Sequence, residues 1–471
     1  MRSNHKAGKY ERGEASANVR GESAANGAGL TRPRRLLLCL DGVPHELIEA
    51  ARSRGLFDRF NEAARLLSPF PTMTNVALST MLGATAPLGY ESLYFNRDER
   101  RLCGGARKYV GRRTPDKIPS SYMDELDYQE PLPFEFLVYV APETIWRADM
   151  RRFRERFRAA PAHRDFFAFL KGTDGLLHIR GARRLDVALQ SLDRILREIQ
   201  DHCGAETEIV LFSDHGMNLQ DNRRINLATH LRAEGYEVAD NLSAPQRGKG
   251  RRRSVAVPAF GLCGYAALYC AEETDAGGVA DALSTLEGVD FSIRREGSEA
   301  VVVRGERGAA RIHRAKKNVE TTSDRNRRGD EDAGEPEGDR EPFIYRYEQL
   351  DGDPLQLSGV VADLQHEGRL DERGFASDTD WLERTARHIY PDPLANLFDA
   401  LHAPRVQHTA DLLLSLHDGY YYGASLFSRL ARLRATHGNA LRPSTTAFLM
   451  STHRNLPPFV RANEARPLLR E

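Results

Sequence analysis

Residues 209–217 read Ile-Val-Leu-Phe-Ser-Asp-His-Gly-Met. Four apolar residues and a serine suit a strand buried on both faces, as in a parallel sheet. The run ends abruptly on an adjacent carboxylate and imidazole, Asp214 and His215. Open α/β sheets bind their ligands at the carboxyl edge, and Asp and neutral His both ligate divalent metals such as zinc. The same residues admit a plainer reading, in which Gly216 turns the chain and the polar pair faces water. A second run echoes the first. Residues 36–42, Leu-Leu-Leu-Cys-Leu-Asp-Gly, end in a lone carboxylate, Asp41, which a simple Asx turn also explains. As sheet neighbours, Asp41 and Asp214 would repel and raise each other's pKa unless a cation were present.

Outward from these two strands the chain alternates helix and strand. Residues 182–200 carry Leu185, Leu189, Leu192, Ile195, Leu196 and Ile199, a strong helical period that leads directly into the 208–213 strand. Helix followed by parallel strand predicts an α/β fold: a doubly wound, mostly parallel sheet with helices on both faces. Helices are expected over 44–53, 75–82 and 145–159, and a strand over 134–140. The 145–159 segment is rich in Arg, with Met150, Phe153 and Phe157 on one face, and reads as a solvated face over a core stripe. The pattern changes near residue 240. Segment 245–254, with Arg251, Arg252 and Arg253, reads as a linker. Strand (264–270), helix (274–286) and strands (288–293, 300–304) then suggest a small α+β insertion or cap. The charged, aperiodic stretch 314–340 reads as a disordered loop. Helices follow at 378–389 and 392–402, with strands at 410–416 and 445–450.

The expected organisation is therefore a disordered leader (1–33), a first part of the core (34–240), an insertion (241–341) and a second part of the core (342–471). At 471 residues the chain has room for this. With 67 basic and 67 acidic side chains it carries no net charge, so nothing at whole-chain level points to a nucleic-acid polymer or an anionic membrane. No stretch is long and apolar enough to be a membrane segment. Five cysteines lack Cys-x-x-Cys spacing, and Cys39 and Cys263 lie in apolar runs. Free thiols and a leader without an apolar core predict a cytoplasmic protein.

Other residues could join the two strand ends. Asp174 and His178, in Lys-Gly-Thr-Asp-Gly-Leu-Leu-His (171–178), are four apart and share one face of a helical turn. His437, in Ala-Thr-His-Gly-Asn-Ala-Leu (435–441), precedes the apolar run Thr-Ala-Phe-Leu-Met. Each alone is as compatible with a structural role. Thr74, in Pro-Phe-Pro-Thr-Met-Thr-Asn (69–75), falls at a helix start, where a hydroxyl caps free N–H groups and the dipole favours an anion. A metal beside it would make that hydroxyl a nucleophile facing a phosphate site.

Taken in order, the blocks Leu-Asp-Gly, Pro-Thr-Met-Thr-Asn, Thr-Asp-Gly-Leu-Leu-His, Ser-Asp-His-Gly-Met and Thr-His-Gly resemble the alkaline phosphatase superfamily. They look most like its type I phosphodiesterase/nucleotide pyrophosphatase branch, over about 35–235 and 390–455. The resemblance implies two divalent ions, Zn²⁺ with Mn²⁺ or Fe²⁺ as alternatives. One would be held by Asp174, His178 and His437, the other by Asp41, Asp214 and His215, with Thr74 bound to the second as nucleophile. It implies a phosphoric ester hydrolase that passes through a phospho-threonine intermediate and acts on a small-molecule phosphate ester or pyrophosphate. A phosphomonoesterase, phosphonate hydrolase or phosphotransferase could use the same centre, and a silent metal-binding protein could keep the fold. One departure stands out. That branch has an asparagine about twenty residues after the nucleophile that contacts the phosphoryl oxygen. Here Asn96 lacks the Gly-x-x-Gly-Asn setting, and Asn75 is the other candidate.

Overall fold

The computed structural model of the chain describes residues 34–105, 118–138, 140–242, 253–317, 343–424 and 433–470. The expected leader (1–33), most of the 245–254 linker and most of the 314–340 loop lie outside the described residues.

Strand Arg35–Leu40 is buried along its whole length. It lies between Phe166–Leu170 and Glu208–Ser213 and runs parallel to both. Its alternate side chains serve two cores. Leu36, Leu38 and Leu40 face helices His45–Arg52, Pro142–Ala159, Gly172–Arg180 and Ala182–Cys203. Leu37 and Cys39 face helices Thr74–Leu82 and Ala465–Arg470. A strand covered on both faces is apolar on both of them, which is why the run after Arg35 shows no alternation. Each buried leucine contributes on the order of 2 kcal/mol. Four more strands complete a seven-stranded sheet: Tyr128–Gln129 beyond Phe166–Leu170, and Thr446–Ser451, Ala64–Leu67 and Phe459–Arg461 on the other side. Thr446–Ser451 runs antiparallel to both its neighbours and the other pairs are parallel. The expected doubly wound α/β sheet is present.

The second layer is larger than a small cap. Nine strands form a mostly antiparallel sheet that starts at Glu237–Val238 and includes Leu412–Leu416. Leu412–Leu416, expected in the main core, instead pairs with Tyr265–Cys270 and Val289–Glu296. Its all-apolar sequence announces burial but not which sheet buries it. Strands Gly308–Lys316 and Phe343–Gly352 were not foreseen, and they pair with each other across the charged segment. Residues 314–316, expected in a loop, continue a strand. Segment 134–140, expected as a strand, holds helix Leu132–Leu137 with proline in its first turn. A short apolar run is ambiguous, and Pro133 presets the helical φ there. No helix among the described residues is long and apolar enough to cross a membrane.

The two layers meet where the main sheet's strands end. Phe70, Met73 and Val76 belong to the second sheet's core together with Ala440 and Leu441. The start of helix Thr74–Leu82 and the loop of His437 are thus pinned against the second sheet.

Candidate metal centre

Asp41 and Asp214 each follow the last residue of adjacent parallel strands. Two hydrogen bonds join the two strand ends, and a third braces the second of them. The Gly42 N–H donates to Asp214 Oδ1 at 3.1 Å, the Val43 N–H to Ser213 Oγ at 2.8 Å, and the Ser213 hydroxyl to the His215 carbonyl at 2.8 Å. Ser68 Oγ donates to the Asp214 carbonyl at 2.8 Å. Gly42 has φ +72°, and a Cβ there would lie 3.4 Å from both Asp174 Oδ1 and His215 Cε1. The turn therefore requires glycine.

Two groups of three potential ligands result: Asp41, Asp214 and His215, and Asp174, His178 and His437. Within each group, one ligand atom per residue lies within 4.8 Å of the others, and all six residues are buried. Asp174 and His178 occupy helix Gly172–Arg180, which leaves the neighbouring strand Phe166–Leu170. The Thr173 hydroxyl ties that helix to the Asp41 carbonyl at 2.7 Å. His437 reaches in from the loop before Thr446–Ser451. Its ring stacks on His215 with centroids 4.1 Å apart and lies 5.5 Å from His178, so the two groups are contiguous.

All three imidazoles are oriented in the same way. Nδ1 of His178 meets the Ala435 carbonyl at 2.7 Å, that of His215 the Gly216 carbonyl at 2.8 Å, and that of His437 the Thr72 carbonyl at 2.7 Å. A carbonyl only accepts, so each Nδ1 carries a proton and each Nε2 is the atom turned to the centre. Such backbone anchoring of the distal nitrogen is the usual arrangement for metal-binding histidines. Asp41 Oδ2 and Asp214 Oδ2 are buried without any hydrogen-bond partner. Unpaired buried carboxylate oxygens beside imidazole Nε2 atoms fit a divalent cation well.

The electrostatics differ between the groups. Burial, then the facing carboxylates Asp214 and Asp174, holds Asp41 well above the ordinary carboxyl range. Burial pushes Asp214 up to about 6. Burial lowers His215 to about 4, and burial followed by its neighbour His215 lowers His437 to about 3. Asp174 goes the other way. Burial would raise it, but the His178 imidazole 3.0 Å away pulls it below the ordinary range. His178 is correspondingly raised, with Asp174 outweighing the effect of burial.

Thr74 is the first residue of helix Thr74–Leu82, and Met73 takes the N-cap position with no side-chain cap. The Thr74 hydroxyl is not used as a cap. It lies 3.4 Å from Asp41 Oδ1 and 3.3 Å from His215 Nε2. The Asn75 side-chain oxygen accepts from the Tyr122 hydroxyl at 3.1 Å, beside Thr74. Asn96 is occupied elsewhere. Its side-chain oxygen accepts from the N–H groups of Asp98 and Glu99, both at 3.0 Å, within the hairpin of strands Leu93–Asn96 and Arg101–Gly104. None of its described contacts reaches either group.

Three further residues were not foreseen. Thr72 grips the His437 loop through both its carbonyl and its hydroxyl. Lys171 extends the register of Leu40 with Leu170, so it stands beside Asp41 and three residues before Asp174. Glu91 accepts from the Gly261 N–H at 2.6 Å, lies 3.8 Å from Cys263 Sγ, and is pushed up to about 7 by burial. Thr72 and Lys171 left a trace in the sequence, as the first threonine of Pro-Thr-Met-Thr and the first residue of the 171–178 run.

No protein-family model matches the chain, and no curated protein matches it by sequence. Solved structures do resemble it. The chain is similar to a phosphonoacetate hydrolase and to ectonucleotide pyrophosphatases. Phosphonoacetate hydrolase from Sinorhizobium meliloti, in complex with phosphonoformate, is 11% identical, with 93% of this chain and 95% of that one covered at a TM-score of 0.46. Murine ectonucleotide pyrophosphatase/phosphodiesterase 5 is 12% identical, with 93% and 94% covered at 0.43. The human form is 11% identical, with 93% of both chains covered at 0.41.

Proposed function

We propose that the protein is a metal-dependent phosphoric ester hydrolase that attacks phosphorus with the Thr74 hydroxyl and favours a diester or pyrophosphate. The observation that carries this reading is the position of Thr74 Oγ1, between His215 Nε2 and Asp41 Oδ1 and beside unpaired carboxylate oxygens of Asp41 and Asp214. A hydroxyl needed only to start a helix would cap it, and this one does not.

Asp41, Asp214 and His215 would hold one divalent ion and Asp174, His178 and His437 the other, with zinc favoured by the mixed nitrogen and oxygen donors. When bound, such ions supply Lewis-acid stabilisation of the attacking and leaving oxygens and depress a hydroxyl pKa. The protein's own residues do the rest. Asp41 and His215 keep Thr74 Oγ1 at the centre, where its proton can pass to Asp41 Oδ1 while His215 Nε2 would serve the ion. The free N–H groups at the start of helix Thr74–Leu82 and its dipole favour a phosphoryl anion in line with that oxygen. The Asn75 amide is the side chain nearest in sequence to serve the phosphoryl oxygens. Attack would form the Thr74 Oγ1–P bond as the bond from phosphorus to the leaving alkoxide or phosphate breaks, and water would then cleave the Thr74 ester and release the remaining phosphate. Leaving-group selection is assigned to the second sheet, against whose core the helix start packs. Five free cysteines support a reducing, cytoplasmic setting.

The test combines metal analysis with hydrolysis of bis(p-nitrophenyl) phosphate by the wild type and Thr74→Ala, alongside monoester, phosphonate and sulfate substrates. Bound divalent metal with activity lost in Thr74→Ala is the expected result. A metal-free wild type, or a Thr74→Ala variant as active as wild type, would sink the reading.

A further inference from the structure

Thr72 belongs to neither group of ligands, yet it holds the His437 loop and stands two residues before Thr74. Its carbonyl accepts from His437 Nδ1 at 2.7 Å, and its hydroxyl accepts from the Gly438 N–H, also at 2.7 Å. The same hydroxyl then lies 3.4 Å from the Asn439 carbonyl, its remaining acceptor. Three consecutive loop residues are thus held by one buried residue with no exposed surface. Gly438 has φ +115°, and a Cβ there would come within 2.9 Å of Tyr265 and 3.1 Å of the Gly264 nitrogen. The loop therefore passes through a slot that admits little movement. Two residues beyond Thr72 stands Thr74, and the Met73 N–H closes a tight turn onto the Pro71 carbonyl at 2.8 Å.

From this geometry we infer that the Thr72 side chain is a positioning residue that keeps the Thr74 hydroxyl in register with His437. Thr74 faces the group of Asp41, Asp214 and His215, whereas His437 belongs with Asp174 and His178. Thr72 joins a group on one side of the centre to a group on the other. The backbone carbonyl alone would orient the imidazole. The hydroxyl fixes the next peptide, and so sets how far His437 Nε2 projects toward Asp174 Oδ1, now 3.8 Å away. Removing the hydroxyl leaves the Gly438 N–H buried without an acceptor, and the loop is then expected to shift to satisfy it.

This inference rests on the proposed two-metal reading, and the experiment keeps the two apart. Zinc binding to the full chain is titrated against a chromogenic chelator for wild type, Thr72→Val, Thr72→Ser, His437→Ala and His215→Ala, with kcat and KM measured in parallel. Wild type binding no zinc overturns the two-metal reading itself. If wild type binds two ions, Thr72→Val should weaken one of them about 10–100-fold, the range for outer-shell partners of metal ligands. The weakened ion should be the one His437→Ala loses, not the one His215→Ala loses. kcat should fall with KM little changed, and Thr72→Ser should restore both. Equal weakening of the two ions, or binding and kcat like wild type, overturns the inference. Should Thr72→Val not fold, Thr72→Cys carries the test through its weaker sulfur acceptor. A selective loss of at least threefold at the His437 ion supports the inference, and its absence overturns it.

Discussion

The two groups of ligands solve the same problem with opposite electrostatics. Asp41, Asp214 and His215 come from the ends of adjacent parallel strands, so the fold forces two carboxylates together. Both acids are raised, and each keeps an oxygen with no hydrogen-bond partner. Asp174, His178 and His437 come from a helical turn and a distant loop, and here a single acid faces two imidazoles. Asp174 is lowered and His178 raised, so this group neutralises itself. A cation therefore relieves repulsion at the strand ends but must displace an existing acid–imidazole contact at the helix. The strand-end group should bind its ion more tightly.

The largest expected effect lies at Thr74, which faces the tighter group. Thr74→Ala should lower kcat by on the order of 10³-fold or more, as removal of a nucleophile does, while metal content measured by mass spectrometry stays at the wild-type level. The next effect tests the ranking directly. Asp214→Asn should abolish the tighter zinc affinity and also raise the melting temperature of the metal-free protein, because it removes a buried repulsion. His437→Ala should abolish only the weaker affinity. If His437→Ala removes the tighter ion, the comparison is wrong.

The strand-end group was the more legible of the two in the sequence, for a physical reason. A strand buried on both faces is apolar through its middle, here residues 36–40 and 209–212, so Asp41 and Asp214 stand out against apolar runs. Asp174 and His178 needed only helical spacing, but that spacing is common, and His437 was placed by the order of the motifs alone. The bland reading of Thr74 as a cap could not be dismissed until Met73 was seen at the N-cap and the Thr74 hydroxyl beside Asp41 and His215. The second sheet was underestimated because Leu412–Leu416 reads as a buried strand in either layer, and because a charged segment hid the pairing of Gly308–Lys316 with Phe343–Gly352. Thr72 and Lys171 lay inside the motifs and Glu91 outside them, but none was legible as a contact, since their roles follow from what the fold brings beside them.

A smaller effect separates the groups by pH. The folded metal-free protein holds a proton at Asp214 up to about pH 6, well above the ordinary carboxyl range. Its stability should therefore fall as pH rises through 6, by about 1 kcal/mol between pH 5 and 7.5 for this group alone. Zinc reverses the sign, because the ion competes with that proton. At the strand ends the ion competes with protons on two raised acids, Asp41 and Asp214, so affinity should fall steeply as pH falls. At the helix the proton to be displaced sits on His178 alone, whose pKa is raised by Asp174, so the weaker ion should show the shallower pH slope. Chelator competition at several pH values measures both slopes. Identical profiles would show that the two groups titrate as one.

The smallest expected effect decides which asparagine serves the centre. Asn96 caps its own hairpin through two backbone N–H groups, whereas Asn75 adjoins Thr74 and is held by the Tyr122 hydroxyl. Asn96→Ala should cost about 1 kcal/mol of stability in urea denaturation, the range for a lost local side-chain cap, and leave kcat and KM within twofold of wild type. Asn75→Ala should lower kcat more than Asn96→Ala does while sparing both zinc affinities, because its amide adjoins the nucleophile and not the ligands. The reverse order would mean that the hairpin carrying Asn96 moves onto the centre when substrate binds, and the strand-end group would then have a partner that its present contacts do not reveal.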